Sequence, residues 1–417
     1  MDLRNRRHGQ GQIAQIQGNN ATKWDRTAFE IPFARDNVLL RRSNLESAGN
    51  ENRVQRIGKL TAALAVFAIV IGVGIYLAQK RSATSEHPSV TIEKQPSPPH
   101  YDPPRPSEIA RSEPAENSGP GGLPAFQRDK VEGYLAKHNR DLGSLLAAFH
   151  ALQDTNYLLE AARNFPNDPR LQWTVLARDA FPADRRKWLD AFKASSPSNS
   201  LANYLSAQDY FKNNRPDAAI KELLASSSKG QFTDYSMDTI LDTESLSQFN
   251  GRSAMETHIA AMAAMAGDNL PELADLKGVA RGIQNAQQQY LNSGDAASVQ
   301  NLAQAGVNFA DHVMSGDSSK FIINQLVGIA SETVALQNLD QNTAYDFLGG
   351  ETPAQRLADL KQEKTSIQQL TAQNQNAYVT MTDEQRANYW ERTKIYGELQ
   401  AMRWWQQQNP ATPNTGN

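Results

Sequence analysis

Residues 201–224 read LANYLSAQDYFKNNRPDAAIKELL and set the fold class of the chain. Apolar side chains recur in them three and four positions apart: Leu201, Tyr204, Leu205, Phe211, Ile220, Leu223 and Leu224. This period is typical of amphipathic helices. The segment Asn213-Asn214-Arg215-Pro216 separates the two halves, so the stretch predicts two helices joined by a tight turn.

The same helical period continues from about residue 126 to residue 408. Short breaks separate the helical stretches: Asn164-Phe165-Pro166-Asn167-Asp168-Pro169, Phe181-Pro182, Ser196-Pro197-Ser198-Asn199, Gly267-Asp268, Gly294-Asp295 and Gly349-Gly350. We find no convincing alternation of apolar and polar residues that would indicate strands. The pattern therefore predicts an all-α domain over residues 126–408.

Several residues at these breaks suit helix starts. Asp168 and Ser198 can accept a hydrogen bond from the backbone amides that open the following helix. Pro169, Pro182 and Pro216 suit a first helical turn, because the amide that proline lacks would be unpaired there.

Residues 167–231 contain two helix–turn–helix units about 30 residues apart. The second unit places small, aromatic, small and bulky residues in order at Ala207, Tyr210, Ala219 and Leu223. This order resembles the tetratricopeptide repeat, which usually spans about 34 residues. The first unit departs from it, with Ala180 in the aromatic position and Leu189 in the second small position. An irregular helical bundle is the alternative.

The resemblance implies an α-solenoid-like stack whose superhelical surface binds peptides or other proteins. Such a stack needs at least three units, so flanking helices would supply the remaining layers. We expect Trp173, Tyr204, Tyr210 and Leu223 to pack between helices.

Two segments near the carboxyl terminus carry further expectations. Residues 319–339 are apolar around most of the helix, which predicts a central position, packed on the stripe at 299–313 that contains Gly306. A polar helix around 353–376 follows. Aromatic residues then cluster at 382–408: Tyr389, Trp390, Tyr396, Trp404 and Trp405. They either cap the domain by packing back on it or anchor a partner.

An uninterrupted apolar run, LTAALAVFAIVIGVGIYLA at Leu60–Ala78, precedes the helical domain and lies between Lys59 and Lys80. A bilayer core about 30 Å thick requires roughly 20 helical residues, so we predict a transmembrane helix over 59–80 that contacts the lipid bilayer. A cleaved signal sequence is disfavoured because 59 residues precede the run. A buried core helix is disfavoured because the flanking sequences are polar.

Basic residues near the run favour one orientation. Arg41, Arg42, Arg53, Arg56 and Lys59 precede it, and fewer follow. The bias predicts a single-pass protein of a bacterial inner (plasma) membrane, with a cytoplasmic amino terminus and an extracytoplasmic, periplasmic helical domain.

The remaining segments are predicted to lack regular structure. Residues 81–125 hold ten of the 20 prolines and are expected to form a semi-stiff linker. Residues 1–58 are expected to form a disordered basic tail, and residues 409–417 a short one. Within the first tail, Trp24–Leu40 mixes aromatic and basic residues, which suits a docking motif or a lipid-headgroup contact, unless it is simply solvated.

Composition and motifs exclude several classes of function. A net charge of −3 and a pI near 6.2 disfavour nucleic-acid binding, and the absence of cysteine excludes disulfides and thiolate chemistry. The seven histidines form no metal pair at helical spacing, and no phosphate-binding loop or nucleophile elbow is present. Ser226 and Lys229 match S-x-x-K, but the other elements of that catalytic motif are absent. We predict no catalytic, cofactor-binding or metal-binding residues and no small-molecule substrate.

The sequence thus predicts a membrane-anchored interaction scaffold, not an enzyme, that presents a helical domain to an unknown protein partner. A transmembrane signal relay that uses the tail at Trp24–Leu40 is the alternative. A cell-envelope hydrolase is a third possibility.

Overall fold

The computed structural model describes residues 122–374 and 377–409. The predicted helical class is confirmed, because the described residues form α-helices, short 3₁₀ turns and connecting loops, with no strand among them. The predicted transmembrane segment Leu60–Ala78 and the tail residues Trp24–Leu40 lie outside the described residues. Within the described residues, no helix has the length and apolarity needed to cross a bilayer.

Three consecutive helix pairs form the amino-terminal half, preceded by α1 (Arg128–Lys137). Their helices are α2 (Leu142–Leu152) with α3 (Thr155–Asn164), α4 (Pro169–Ala177) with α5 (Arg185–Ser195), and α6 (Leu201–Lys212) with α7 (Pro216–Ser226). The two helices of each pair pack together, and each pair contacts the next. The sequence predicted the second and third pairs, and the first pair supplies a third layer.

The predicted helix starts are partly confirmed. Asp168 accepts a hydrogen bond of 2.9 Å from the backbone amide of Arg170, and α4 and α7 begin at proline. The prediction for Ser198 was wrong. Asn199 Oδ1 instead accepts the hydrogen bond from the amide of Leu201, at 3.1 Å. The backbone of Asn199 also pairs with that of Gln231 in an isolated β-bridge just before α6 begins.

The cap at Asp168 gives a first prediction. Asp168→Ala should lower the free energy of unfolding by about 1 kcal/mol, because an opening amide of α4 loses its acceptor. Asp168→Asn keeps an acceptor oxygen and should cost much less. Urea denaturation of both variants measures the difference, and equal losses would contradict the capping role.

Helix α8 (Ser236–Phe249) leads into α9 (Ala254–Ser293), a helix of 40 residues. We call α9 the spine, because α2, α4, α6, α7 and α8, and later α10, α11 and α14, all pack on it. Its start carries a capping box formed by Ser253 and Glu256, and Gly294 ends it with a φ of 77°. The sequence prediction of a break at Gly267-Asp268 was wrong, since both residues lie inside the spine.

The break was predicted wrongly because both residues serve tertiary contacts. A Cβ at Gly267 would collide with the guanidinium of Arg178, so glycine here makes room for a side chain. Asp268 is fully buried, and its carboxylate contacts the side chains of His150 and Arg178. Gly278 and Gly282, further along the spine, likewise make room for Gln208 and Phe211 of α6.

The carboxyl-terminal half is built from α10 (Ala296–Val313), α11 (Ile322–Leu336), α12 (Pro353–Asn374), the short α13 (Ala377–Thr380), α14 (Asp383–Tyr396) and α15 (Glu398–Gln408). The predicted packing of α10 on α11 is confirmed. A Cβ at Gly306 would lie 2.5 Å from the Cβ of Ala335, so the two backbones approach closely there. The predicted central position of α11 is confirmed, because it packs on α9, α10 and α12. Its burial does not follow the apolar pattern alone, since Ile322 and Leu326 are half-buried while Asn324 and Glu332 are buried.

The carboxyl-terminal aromatic residues mainly pack back on the domain, as one of the two alternatives predicted. Trp390 is 6% exposed, stacks on His258 with ring centroids 4.0 Å apart, and donates a hydrogen bond of 2.5 Å to Glu244. Trp405 is also buried. Tyr396 remains 60% exposed.

Candidate functional site

The first helices of the three pairs differ sharply from the second helices in burial. Helix α2 buries nine of its 11 residues, α4 seven of nine, and α6 eight of 12. The second helices α3, α5 and α7 bury only three, two and three residues. The first helices therefore form an inner layer against the spine, and the second helices form a more exposed outer layer, of which α7 also contacts the spine.

Buried polar contacts join the inner layer to the spine. His150 of α2 donates a hydrogen bond of 2.8 Å from Nε2 to Asp268, and neither side chain is exposed. Arg178, at the end of α4, forms an ion pair with the same carboxylate. Trp173 of α4 donates its indole N–H to Glu272, one turn further along. The spine thus covers the face that the first helices share, and that face is closed to a partner.

The pKa values of the Asp268 and Glu272 carboxyl groups are shifted in opposite directions. Burial opposes ionisation of both, but Arg178 and His150 hold the pKa of Asp268 below its usual value. Burial and the nearby charge of Asp234 raise the pKa of Glu272 well above its usual value. Asp268 is therefore a paired carboxylate, whereas Glu272 has no basic partner among the described residues.

The outer layer carries an excess of positive charge. Helices α3, α5 and α7 together hold six lysines and arginines against four acidic residues, although the overall net charge of the chain is −3. Several of these cations are paired with carboxylates: Lys193 with Glu222 at 2.7 Å, Arg186 with Asp209 of the inner helix α6, and Arg185 with Asp275 of the spine at 2.8 Å. Arg215 and Lys221 are exposed basic side chains of the same layer. This face is suited to an acidic segment of a partner.

Tyr210, near the end of α6, contacts two of these basic side chains. The prediction that Trp173, Tyr204 and Leu223 pack between helices is confirmed, because each is at most 1% exposed. Tyr210 packs on the same core but is half-buried, and the guanidinium carbons of Arg186 and Arg215 lie 4.2 and 4.8 Å from its ring centroid. Both guanidinium groups therefore make cation–π contacts with the Tyr210 ring.

Ser226 and Lys229, the S-x-x-K pair, lie at the end of α7. The Ser226 hydroxyl is buried and donates a hydrogen bond of 2.6 Å to the carbonyl of Leu223. Burial lowers the pKa of Lys229. The serine hydroxyl is thus engaged in closing the helix end.

Beside this helix end, the buried Tyr204 contacts the half-buried His312. The Tyr204 hydroxyl lies 2.6 Å from His312 Nδ1. Burial raises the pKa of Tyr204 and lowers that of His312, which favours a neutral tyrosine that donates to a neutral imidazole.

This contact gives a second prediction. Tyr204→Phe should lower the free energy of unfolding by about 1–2 kcal/mol, because the ring nitrogen of His312 loses its donor inside the domain. Tyr210→Phe is the matched control and should change it by less than about 0.5 kcal/mol, since the ring that faces the arginines is kept. Chemical denaturation compares the two, and an equal effect would contradict the assignment.

Within the described residues, no group of three or more histidine, cysteine, aspartate or glutamate side chains could hold a metal ion. Three of the histidines, His8, His87 and His100, lie outside the described residues. His138 stacks near Tyr134 with ring centroids 4.2 Å apart, and His150, His258 and His312 make the contacts given above.

Comparison with known proteins gives no relative. The chain matches no protein-family model, no curated protein and no solved structure.

Proposed function

We propose that this protein is a single-pass membrane scaffold that presents a helical protein-interaction domain outside the cytoplasm. Leu60–Ala78 anchors it in the inner membrane, and the proline-rich residues 81–125 act as a spacer. The helix pairs α2–α7 form a solenoid-like, tetratricopeptide-like array, of which the outer layer binds the partner. The observation that carries the proposal is the uninterrupted apolar run followed by a proline-rich segment and a helical domain.

The chemistry of the outer layer supports a partner with an acidic segment. The inner layer is covered by the spine, which leaves the second helices as the accessible face of the array. That face combines Arg215 and Lys221 with the half-buried Tyr210 and the exposed Leu224, which is 54% exposed. Cations around an aromatic ring, next to an apolar side chain, suit a peptide that mixes acidic and apolar residues.

Membrane fractionation tests the anchor. The full-length protein should stay in the membrane pellet after an alkaline carbonate wash, and deletion of residues 60–78 should release it. Reporter fusions at both ends should place the amino terminus in the cytoplasm and residue 417 outside it. Release of the intact chain by carbonate would contradict the anchor.

Charge reversal tests the outer layer. Proximity labelling from the domain, read by mass spectrometry, should lose its main partner in the variant Arg215→Glu/Lys221→Glu. The matched control Lys130→Glu/Lys361→Glu carries the same charge change on exposed positions of α1 and α12 and should keep the partner. Loss in both variants, or in neither, would contradict an acidic partner on this face.

A signal relay is the second candidate function. The basic and aromatic residues of Trp24–Leu40 favour it, because such a segment can capture a cytoplasmic regulator. Deletion of residues 1–50 discriminates between the two functions. A scaffold keeps its outer partners and phenotype after this deletion, whereas a relay loses its output.

A further inference from the structure

Helices α14 and α15 meet at a corner made of a single residue, Gly397. Gly397 has a φ of 89°, and a Cβ there would lie 3.0 Å from the Cα of Lys320. Glycine therefore lets the corner approach the 3₁₀ turn that ends at Lys320. Glu398, the next residue, accepts a hydrogen bond of 2.7 Å from the backbone amide of Ile322. These two contacts hold the corner in a fixed position on the carboxyl-terminal half.

The corner exposes large apolar side chains. Ile395 and Tyr396, the last two residues of α14, are 59% and 60% exposed, more than any other large hydrophobic residue that the structure describes. Successive helical residues point about 100° apart, so these two side chains cover two sides of the helix end. Trp404 of α15 is half-buried. Adjacent apolar side chains with such exposure are typical of an interaction surface.

Basic side chains accompany this apolar surface. The guanidinium carbon of Arg392 lies 5.9 Å from the ring centroid of Tyr396 and 4.5 Å from that of Trp404, so it joins the rings of the two helices. Arg403 precedes Trp404 in the sequence and is exposed. Among the described residues, no carboxylate forms an ion pair with Arg392 or Arg403. We call Arg392, Ile395, Tyr396, Arg403 and Trp404 the corner surface.

The neighbouring acidic side chains are engaged by other groups. Glu391 forms an ion pair of 2.8 Å with Lys394, which also pairs with the buried Glu244 at 2.8 Å. Glu398 accepts the amide hydrogen of Ile322, as described above. The corner surface therefore combines apolar side chains with positive charges that remain available to an anionic partner.

This combination matches the interface of a lipid bilayer. Tyrosine and tryptophan rings favour the headgroup level, an aliphatic side chain can enter the acyl boundary, and arginine is attracted to anionic lipids. The proposed anchor also tethers the domain to a bilayer. At about 3.1 Å per residue, the proline-rich spacer spans on the order of 100 Å, so the domain can reach the membrane surface. Tethering raises the effective concentration of lipid above that of a free protein partner.

We propose that the corner surface docks on the anionic headgroups of the membrane that holds the anchor. The rings of Tyr396 and Trp404 and the side chain of Ile395 enter the interfacial layer, and the two arginines contact lipid phosphates. Docking gives the tethered domain one orientation on the bilayer, so the outer layer is presented to its partner in a fixed direction. The inference rests on the proposed function for the tether, but the chemistry of the corner surface is independent of it.

Spin labelling tests the docking, because the chain contains no cysteine and accepts one label at a chosen position. Full-length Ile395→Cys carries a nitroxide and is reconstituted into phosphatidylcholine vesicles with or without phosphatidylglycerol. With phosphatidylglycerol, oxygen, which dissolves in lipid, should reach the label more readily than a water-soluble nickel chelate does. Without it, the chelate should reach the label more readily. Leu241→Cys, at an exposed leucine that precedes Asp242, is the control and should favour the chelate in both vesicles.

Neutralisation of the two arginines should release the corner surface. On the Ile395→Cys background, Arg392→Gln/Arg403→Gln should lower the ratio of docked to undocked chains about 25-fold, because each basic residue near an anionic membrane contributes about fivefold. Arg392→Lys/Arg403→Lys keeps both charges and should retain docking. The control Lys130→Gln/Lys361→Gln removes the same charge at exposed positions of α1 and α12 and should also retain it.

Three results would overturn the proposal. They are a label at residue 395 that favours the chelate in both vesicles, docking that persists in the glutamine variant, and a label that is shielded from both reagents. The last result would show that a protein segment or a second copy covers the corner surface. An alkaline carbonate wash of the same sample separates this proposal from the anchor. A chain that resists the wash while its label stays in water keeps the anchor and excludes docking.

Discussion

Replacement of Asp268 with asparagine should lower the free energy of unfolding by roughly 3–5 kcal/mol. The carboxylate is fully buried and is shared by His150, at 2.8 Å, and by Arg178, whose side chain is only 18% exposed. Asparagine keeps the shape but removes the charge, so the guanidinium of Arg178 is left without its counter-ion. The inner layer would then lose its main polar contact with the spine.

Urea denaturation of the full-length protein measures this loss. Asp359→Asn, the same change at an exposed position of α12, is the control and should stay within about 0.5 kcal/mol of the wild type. The double variant Arg178→Met/Asp268→Asn should lose less than the sum of its two single variants, because it leaves no unpaired charge. Additive losses would show that the two side chains do not act as a pair.

Local signals explain what could be predicted from the sequence. The helical spacing of apolar residues at 201–224 and the aspartate and proline at 168–169 involve only residues close together in the sequence. They therefore predicted these helices correctly without knowledge of the tertiary fold. The Gly294-Asp295 break was also correct, since Gly294 has a positive φ and Asp295 caps α10. These features depend on residues that are neighbours in the sequence, so they can be recognised from one sequence alone.

The 40-residue spine could not be predicted for the opposite reason. Gly267 and Asp268 have the composition of a turn, but their roles are set by Arg178 and His150, which lie about 90 and 118 residues away in the sequence. Contacts between residues so far apart in the sequence produce no short-range pattern that sequence analysis could detect. Pro271, a further apparent helix breaker, also lies inside the spine because surrounding helices hold it there.

The spine also changes the expectation drawn from the repeat resemblance. A binding surface was expected on the array of helix pairs, yet the face shared by α2, α4 and α6 is occupied by the chain itself. The basic residues of α5 and α7 could be counted in the sequence. Their exposure on the outer layer, however, depends on which helices the spine covers.

Glu272→Gln should stabilise the domain relative to the wild type at pH 8 and should have little effect near pH 4. The pKa of Glu272 is raised in the folded protein by burial and by the charge of Asp234. Folded protein therefore holds this proton more tightly than unfolded protein, in which a glutamate has a pKa of about 4.3. The stability linked to the proton is full below that pH and is lost as the pH rises through the folded pKa.

Glutamine is neutral at every pH, so the variant should not lose this stability, and the two curves should separate progressively above about pH 4.3. Other carboxyls titrate in the same range, such as Asp242, whose pKa is raised to about 6 by burial. The difference between wild type and variant removes their contribution, because both proteins contain them. Glu363→Gln, at an exposed position, should follow the wild-type curve. A variant less stable than the wild type at pH 8 would show that the ionised carboxylate of Glu272 stabilises the fold.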